Sequence, residues 1–454
     1  MHPEALTERP GIRCQLAVTR NASGAARHPR SPPVTAAGPV APAGARSVLT
    51  EATALYLDLH AHPELSGAER RTAGRLAGWL ARDGLRVTGD VGGHGVVGIL
   101  DNGPGPVVML RAELDALPVA EQTGLPYASA VTATGADGLP VPVMHACGHD
   151  LHVAALAGAA RRLVAGRDHW QGTLLVVGQP AEETLEGARD MLEDGLFERF
   201  GRPDVVLAQH TAPLPAGMLA HGIGVMTAGS TTIEVVIHGR GSHAATPHLG
   251  IDPVVAAAAT VLRLQTIVAR EFAAAEQVVL TVGSLHAGHR SNVLPDSASL
   301  SITVRALSEA TLTRLRAAVE RVVRAECAAS GCVEPPEVRI ATASPVNVPD
   351  PEATAVTRAA HEGLVGSERL AVWPPSMATE DFPHYASAGA ATVYWMLGSA
   401  GRRQVTEAPG HSMAERLAAL PANHSPRFAP DVRQTLPTGV AAMVTAALAH
   451  LARP

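Results

Sequence analysis

Lysine is missing altogether, so in this 454-residue chain every basic side chain apart from histidine is arginine. That absence removes Schiff-base chemistry, lysine general bases and P-loop nucleotide binding. Cysteine is scarce: Cys14, Cys147, Cys327 and Cys332 cannot frame a disulfide scaffold in a chain this long. No G-x-S-x-G elbow occurs, which argues against a serine hydrolase. No apolar run approaches the length of a membrane-crossing helix, and residues 1–50 scatter arginines where a secretory leader would need an apolar block. A formal net charge of −6 gives no reason to expect nucleic acid or an anionic membrane as partner. A soluble, reducing, cytoplasmic setting is the expectation.

What is present is globular: 46% hydrophobic and 17% charged residues, with enough length for two cores. Residues 1–46, rich in Pro, Ala, Gly and Arg without apolar period, read as a disordered extension. From 47 to 226 short apolar runs alternate with helical stretches. Val96–Leu100, Val107–Leu110, Thr173–Val177 and Val205–Ala208 read as strands buried on both faces, with helices between them, which is an α/β domain. From 227 to 340 the pattern changes. Ile233, Val235 and Ile237 alternate on one strand and Leu300, Ile302 and Val304 on another. Asp252-Pro253 and Ser308 start helices. The order β-α-β-β-α-β is that of a ferredoxin-like unit. Helices and apolar strands then resume over 341–454, so the second unit interrupts the first.

The densest chemistry lies in Met144-His145-Ala146-Cys147-Gly148-His149-Asp150-Leu151-His152 and in Gln179-Pro180-Ala181-Glu182-Glu183. Thiol, imidazole and carboxylate are transition-metal ligands. Cys147 and His149, one residue apart on an extended backbone, would point the same way, ahead of a helix starting near Asp150. The bland reading is a buried cysteine beside a hydrogen-bonded histidine; three histidines in one window favour metal. Adjacent carboxylates repel unless a cation sits between them or one holds its proton, so Glu183 reads as a ligand and Glu182 as general base. An isolated Glu-Glu is usually a solvated loop, but this one follows a buried strand and must turn beyond its end. His210, ending its own strand, and His424, in a Pro-rich loop, are each better read alone as structural. Asp115, after a third strand, could orient a ligand from behind.

Together these residues resemble the M20 metallopeptidases, in the amidohydrolase branch with hippurate hydrolases, N-acyl-amino-acid deacylases and auxin-conjugate hydrolases. The likeness runs from about Leu57 to Asp431 through an ordered set. It includes Leu59–Ser66, Arg111–Pro118, His145–Asp150, Gln179–Glu183, Gly239–His243, Pro247-His248, Asn292–Asp296 and Thr379–Phe382. Glu113 departs from it, since the branch often carries aspartate there.

The resemblance implies a zinc-peptidase-like catalytic domain with a mostly parallel sheet, interrupted by a ferredoxin-like lid and dimerisation domain. It implies two divalent ions (Mn, Zn, Co or Ni) held by Cys147, His149, Glu183, His210 and His424, with Glu182 as base. It implies a lid His243 that polarises the scissile carbonyl, in some relatives that of the neighbouring subunit. Asn292 and Arg305 are then lid groups that hold the substrate's carboxylate or carbonyl. The expected activity is cleavage of N-acyl amino acids by a homodimer. A dipeptidase or carboxypeptidase would use the same site, and the rival from another class is a non-catalytic metal or small-molecule binder on the same fold.

Overall fold

The computed structural model describes residues 45–135 and 137–453. The expected extension over 1–46, with Cys14, lies outside the described residues except for Ala45 and Arg46, which open the first helix.

The elements that position the site are, in chain order, α1 (Ala45–His60), α2 (Arg70–Arg82), β1 (Arg86–Val91), β2 (Gly95–Asn102), β3 (Val107–Glu113), α3 (His149–Ala165), β4 (Gly172–Gln179), β5 (Val205–Pro215) and β6 (Leu219–Gly222). The lid contributes β7 (Gly229–His238), α4 (Pro253–Arg270), β8 (Val278–Ala287), β9 (Ser297–Ala306), α5 (Glu309–Ala329) and β10 (Glu337–Ser344). The catalytic domain resumes with α6 (Pro351–Val365), β11 (Leu370–Trp373), β12 (Ala391–Ala400) and α7 (Val432–His450).

Eight strands form the main sheet in the order β1-β2-β4-β3-β5-β12-β6-β11. Its centre, β4-β3-β5-β12, is parallel, whereas β1-β2, β2-β4 and β12-β6 pair antiparallel. With β6-β11 also parallel, four of the seven pairings are parallel, so the sheet is mixed but mostly parallel, as expected. β1 returns on β2 through a tight turn, a connection that needs no crossover helix, whereas β6 reaches its antiparallel partner β12 only after the lid, α6 and β11. Apolar side chains cover both faces. On one, Leu110, Val176 and Leu207 pack with α1, α3 and α7; on the other, Met109, Val177 and Val206 pack with Met191, Phe382 and Tyr394. Strands buried on both sides lose the alternation a half-exposed strand shows.

The lid is a four-stranded antiparallel sheet, β8-β9-β7-β10, with α4 and α5 on one face. That is the ferredoxin-like order. Ile233, Val235 and Ile237 face the lid core with Leu300, Ile302 and Val304, against Leu264 and Ile267 of α4 and Leu315 and Val319 of α5. Asp252 caps α4 by accepting from Val254 and Val255 N–H, and Ser308 caps α5 by accepting from Thr311 N–H. Such caps contribute about 1 kcal/mol each.

Four local expectations need correction. β5 does not end before His210: pairing with β12 carries it to Pro215, which leaves His210 in mid-strand beside Met396. β10, expected over Glu337–Ala341, runs on to Ser344 because its ladder with β7 continues through Ser230. Cys147 and His149 are not on extended backbone, since Gly148 sits at φ 85° and His149 opens α3. Finally, α4, at 18 residues, is long and apolar enough by composition to cross a membrane, although Ala256, Ala257, Leu264 and Ile267 bury it on the lid sheet.

Candidate metal centre and active-site cleft

The loops at the carboxyl ends of the central strands converge, which is where open α/β sheets carry their sites. After β4 the chain turns sharply, with Ala181 at φ 50° and Leu185 at φ 59°. A Cβ on Gly187 would lie 1.6 Å from the Pro180 carbonyl oxygen, so only glycine closes this loop. The Glu69 carboxylate pins it by accepting from Gly67 and Ala181 N–H. In that turn, beyond the end of the strand, both Glu182 and Glu183 line one cleft.

Donor atoms of Cys147, His149 and His210 lie within 4.8 Å of one another, as do those of Cys147, Glu183 and His424. The thiol is common to both groups. Cys147 Sγ is 3.4 Å from His210 Nε2, and His424 Nε2 is 3.4 Å from Glu183 Oε2. His424 is held at φ 70°, an uncommon backbone for a non-glycine residue, and its N–H donates to the Ala146 carbonyl. The structure thus brings together Cys147, His149, Glu183, His210 and His424, with Glu182 beside them, its Oε2 3.7 Å from His149 Nε2.

The donor set fits a cation. His149 Nδ1–H donates to the Asp115 carbonyl at 2.9 Å and lies 3.2 Å from its carboxylate, which fixes the tautomer and turns the Nε2 lone pair inward. That Nε2 and Glu183 Oε1 are buried and have no hydrogen-bond partner. Asp115 Oδ2 also accepts from Ser66 Oγ and from Glu183 N–H, so one carboxylate orients two of the five side chains. A ligating histidine whose other nitrogen donates to a carboxylate or carbonyl is a recurrent feature of metal sites. His210 repeats it, with Nδ1–H donating to the Thr211 carbonyl at 2.9 Å.

Electrostatics agree. Burial alone would push the Cys147 thiol up, but His210 and His149 hold it well below its usual range, as a ligand thiolate requires. The thiolate in turn lifts His210, against burial, to about 9. His424, bonded to Cys147 and Glu183, is raised to about 10. Cation uptake by such a set releases protons. Burial, then Glu380 and Glu183, push Glu182 well above the ordinary carboxylate range.

The remaining histidines of the motif are sorted by their partners. His152 donates from Nδ1 to Glu113 at 2.8 Å and accepts at Nε2 from Thr211 N–H at 2.9 Å, which leaves no lone pair for a cation. His145 is buried with both ring nitrogens unpartnered, and burial lowers it to about 4. Sequence reasoning assigned nothing to Thr211, Asn423 or Glu380. Asn423 Nδ2 donates to the carbonyls of Cys147 and Thr211. Glu380 lines the cleft near Glu182 and accepts from Arg111 and from the Tyr394 hydroxyl. Arg111, wholly buried, also pairs with Glu113 and Asp381. The one signal for these was the placement of Arg111, Glu113, Glu380 and Asp381 within matched motifs.

The cleft, about 430 Å³, is walled by Leu185, Trp373, Tyr394 and Met396 and by Arg305 from the lid. Arg305 lies on the sheet face opposite Val304, and its Nη1 donates to the Met377 carbonyl at 2.8 Å. Among the described residues no carboxylate pairs with it. His243 and Asn292 do not line the cleft. They are exposed on a lid loop, where Ser242-His243 pairs with Val293-Leu294 and the Asn292 carbonyl accepts from Ala244 N–H.

An α/β domain carrying this donor cluster, with a ferredoxin-like lid over it, defines a metallohydrolase. Residues 109–422 match the model of peptidase family M20/M25/M40, and the chain belongs to that family, in its amidohydrolase branch. It is 32% identical over 400 residues to IAA-amino acid hydrolase ILR1-like 2 of Arabidopsis thaliana, covering 87% of this chain and 83% of that one. It is 35% identical over 329 residues to hippurate hydrolase of Campylobacter jejuni, covering 71% and 82%. Among solved structures it resembles the Bacillus subtilis YxeP protein, described as a dinuclear metal-binding peptidase of family M20. That match has a TM-score of 0.68 at 26% identity and covers 89% of this chain and 99% of that one.

Proposed function

We propose that this chain is a metal-dependent amidohydrolase that cleaves the amide bond of N-acyl amino acids. The observation that carries the reading is the convergence of five ligand-type side chains, two sets of three sharing Cys147, with a buried carboxylate, Glu182, alongside. Cys147, His149, Glu183, His210 and His424 would hold two divalent ions. When bound, such ions supply Lewis acidity that brings the pKa of water toward neutrality and polarises a carbonyl.

Glu182 takes the proton of the attacking water and passes it to the leaving amine. Its burial beside Glu380 makes it a stronger base than an exposed glutamate. Asp115 keeps His149 in one tautomer throughout. Arg305, in the cleft without a carboxylate partner among the described residues, binds the substrate's carboxylate and so selects acylated amino acids over simple amides. Leu185, Trp373 and Met396 receive apolar substrate parts. His243 stabilises the developing oxyanion after the lid closes, or from a second copy of the chain. A homodimer is supported by the lid's outer surface, where Val255 is 60% and Leu262 73% exposed on α4 next to the free edge of β8. Free cysteines at Cys147, Cys327 and Cys332 suit a reducing cytoplasm.

The test is hydrolysis of N-acetyl and N-benzoyl amino acids, dipeptides and carboxypeptidase substrates by protein loaded separately with Mn, Zn, Co or Ni. Preference for the N-acyl set supports the proposal. Preference for peptides transfers the site to a dipeptidase or carboxypeptidase. Tight metal uptake without turnover on any arm makes it a binding protein.

A further inference from the structure

We propose that Thr211 is the positioning residue of the centre, a single hub that fixes three of the five ligand-bearing segments before a cation arrives. This rests on the metal-site reading above and assigns a role to residues that reading leaves idle. Each polar group of Thr211 is committed. Its carbonyl accepts from His210 Nδ1–H at 2.9 Å and from Asn423 Nδ2 at 3.3 Å. Its hydroxyl donates to the Cys147 carbonyl at 2.9 Å, and Asn423 reaches that same carbonyl at 3.2 Å. The strand of His210, the loop of Cys147 and the loop of His424 are therefore tied at one residue, itself 1% exposed.

The hub is anchored from behind. Thr211 N–H donates to His152 Nε2, whose Nδ1–H donates to Glu113, and Glu113 pairs with the wholly buried Arg111. β3 pairs with β5 only as far as Ala208, and beyond it the Thr211 N–H finds the His152 side chain in place of a strand. The His152 ring also packs edge-on against His210, with centroids 4.8 Å apart, which limits rotation of the ligand ring. On its other side Thr211 lies so close to Gly148 that a Cβ there would meet its Oγ1 at 2.6 Å. Glycine at 148 therefore serves two ends: it adopts φ 85° to start α3, and it leaves room for the hub. Ligands held by their neighbours need not be ordered by the ion, so the hub should appear as metal affinity and coordination geometry.

The experiment uses the full chain, stripped of metal and titrated with Co²⁺ against a competing chelator, with the visible spectrum recorded for thiolate charge transfer and ligand-field bands. Thr211→Val keeps the shape and the backbone bonds but removes the hydroxyl that holds Cys147. It is expected to weaken Co²⁺ binding about 10–100-fold and to shift the bands. Thr211→Ser, which restores the hydroxyl, is expected to return both to wild-type values. Thr211→Ala removes the same bond with less bulk and serves if valine does not fold. Wild-type affinity and spectrum in the valine or alanine variant, or a serine variant as deficient as either, overturns the proposal. If the wild type itself takes up no Co²⁺, the metal-site reading fails instead, and the hub falls with it.

Discussion

The two domains treat polar side chains in opposite ways. The catalytic domain buries Arg111, Glu113, Asp115, His149, His152, Glu182 and Asp381 in a connected network. The lid, among its described residues over 229–344, buries no histidine and no charged side chain. Its core is aliphatic, and two of its three candidate site residues, His243 and Asn292, stand in solvent, while Arg305 is half-buried at the cleft. Unsatisfied buried charge is costly, so a buried network holds one arrangement firmly and excludes others. An apolar core with exposed polar tips carries no such constraint on where those tips point. The polar network of the first domain is thus held in one arrangement, while the lid is a stable body whose exposed polar groups are under no such constraint.

The largest expected effect tests the pre-set half. Glu182→Gln should retain its metal and lose turnover by about 10⁴-fold, the upper range for a general acid–base group. Near-normal rates in metal-replete protein would remove Glu182 from the mechanism.

His243→Ala should cost about 10²–10³-fold in kcat with metal content unchanged. It also separates delivery within one chain from delivery between chains. When Glu182→Gln and His243→Ala chains are mixed, delivery from a partner leaves one intact site in each mixed dimer and restores roughly a quarter of wild-type activity. Delivery within a chain restores none.

Arg305→Met is a milder disturbance of the lid. It should raise KM about 10–100-fold for substrates bearing a free α-carboxylate, from a lost charge-assisted bond of about 1.5–3 kcal/mol. KM for the corresponding α-amides should change little, and an equal loss on both would show that Arg305 does not read the carboxylate.

The contrast between domains also governs how much could be read from sequence. The lid was legible because its strands are buried on one face only. Period-two alternation at Ile233, Val235 and Ile237, together with the Asp252 and Ser308 caps, marks its elements without reference to anything distant. Cys147, His149, Glu182 and Glu183 were legible because they sit in short dense motifs. The pairing of Glu380 and Asp381 was not, since their common partner, Arg111, lies 269 residues before Glu380 and 270 before Asp381. His210 looked like a strand end because the continuous apolar run stops just before it; only pairing with β12 shows the strand continuing. Thr211 carries no signal at all, because its role comes from backbone and hydroxyl bonds to three separate segments.

An effect on stability rather than on turnover sharpens the contrast through acid titration. His221 on β6 and His361 on α6 are both fully buried, beside Trp395. His361 Nε2–H donates to the Ala442 carbonyl, so its Nδ1 accepts from His221 Nε2–H. His221 Nδ1 has no partner, and a proton there would have nothing to bond to. Burial, with the neighbouring His361, lowers His221 to about 3, and burial lowers His361 to about 4. Both lie below the unfolded value of about 6.5, so the unfolded chain binds protons that the native pair refuses. The pair's contribution is complete above pH 6.5 and is lost progressively as pH falls toward 4. At pH 5 the cost is about 2 kcal/mol for each imidazole. On acidification of metal-free protein, amide exchange should quicken in α6 and α7 before it does in the lid strands. His221→Asn with His361→Gln should flatten the fall in Tm between pH 7 and 5. An unchanged slope, or a lid that opens first, would mean that the buried polar groups of the catalytic domain do not set its acid limit.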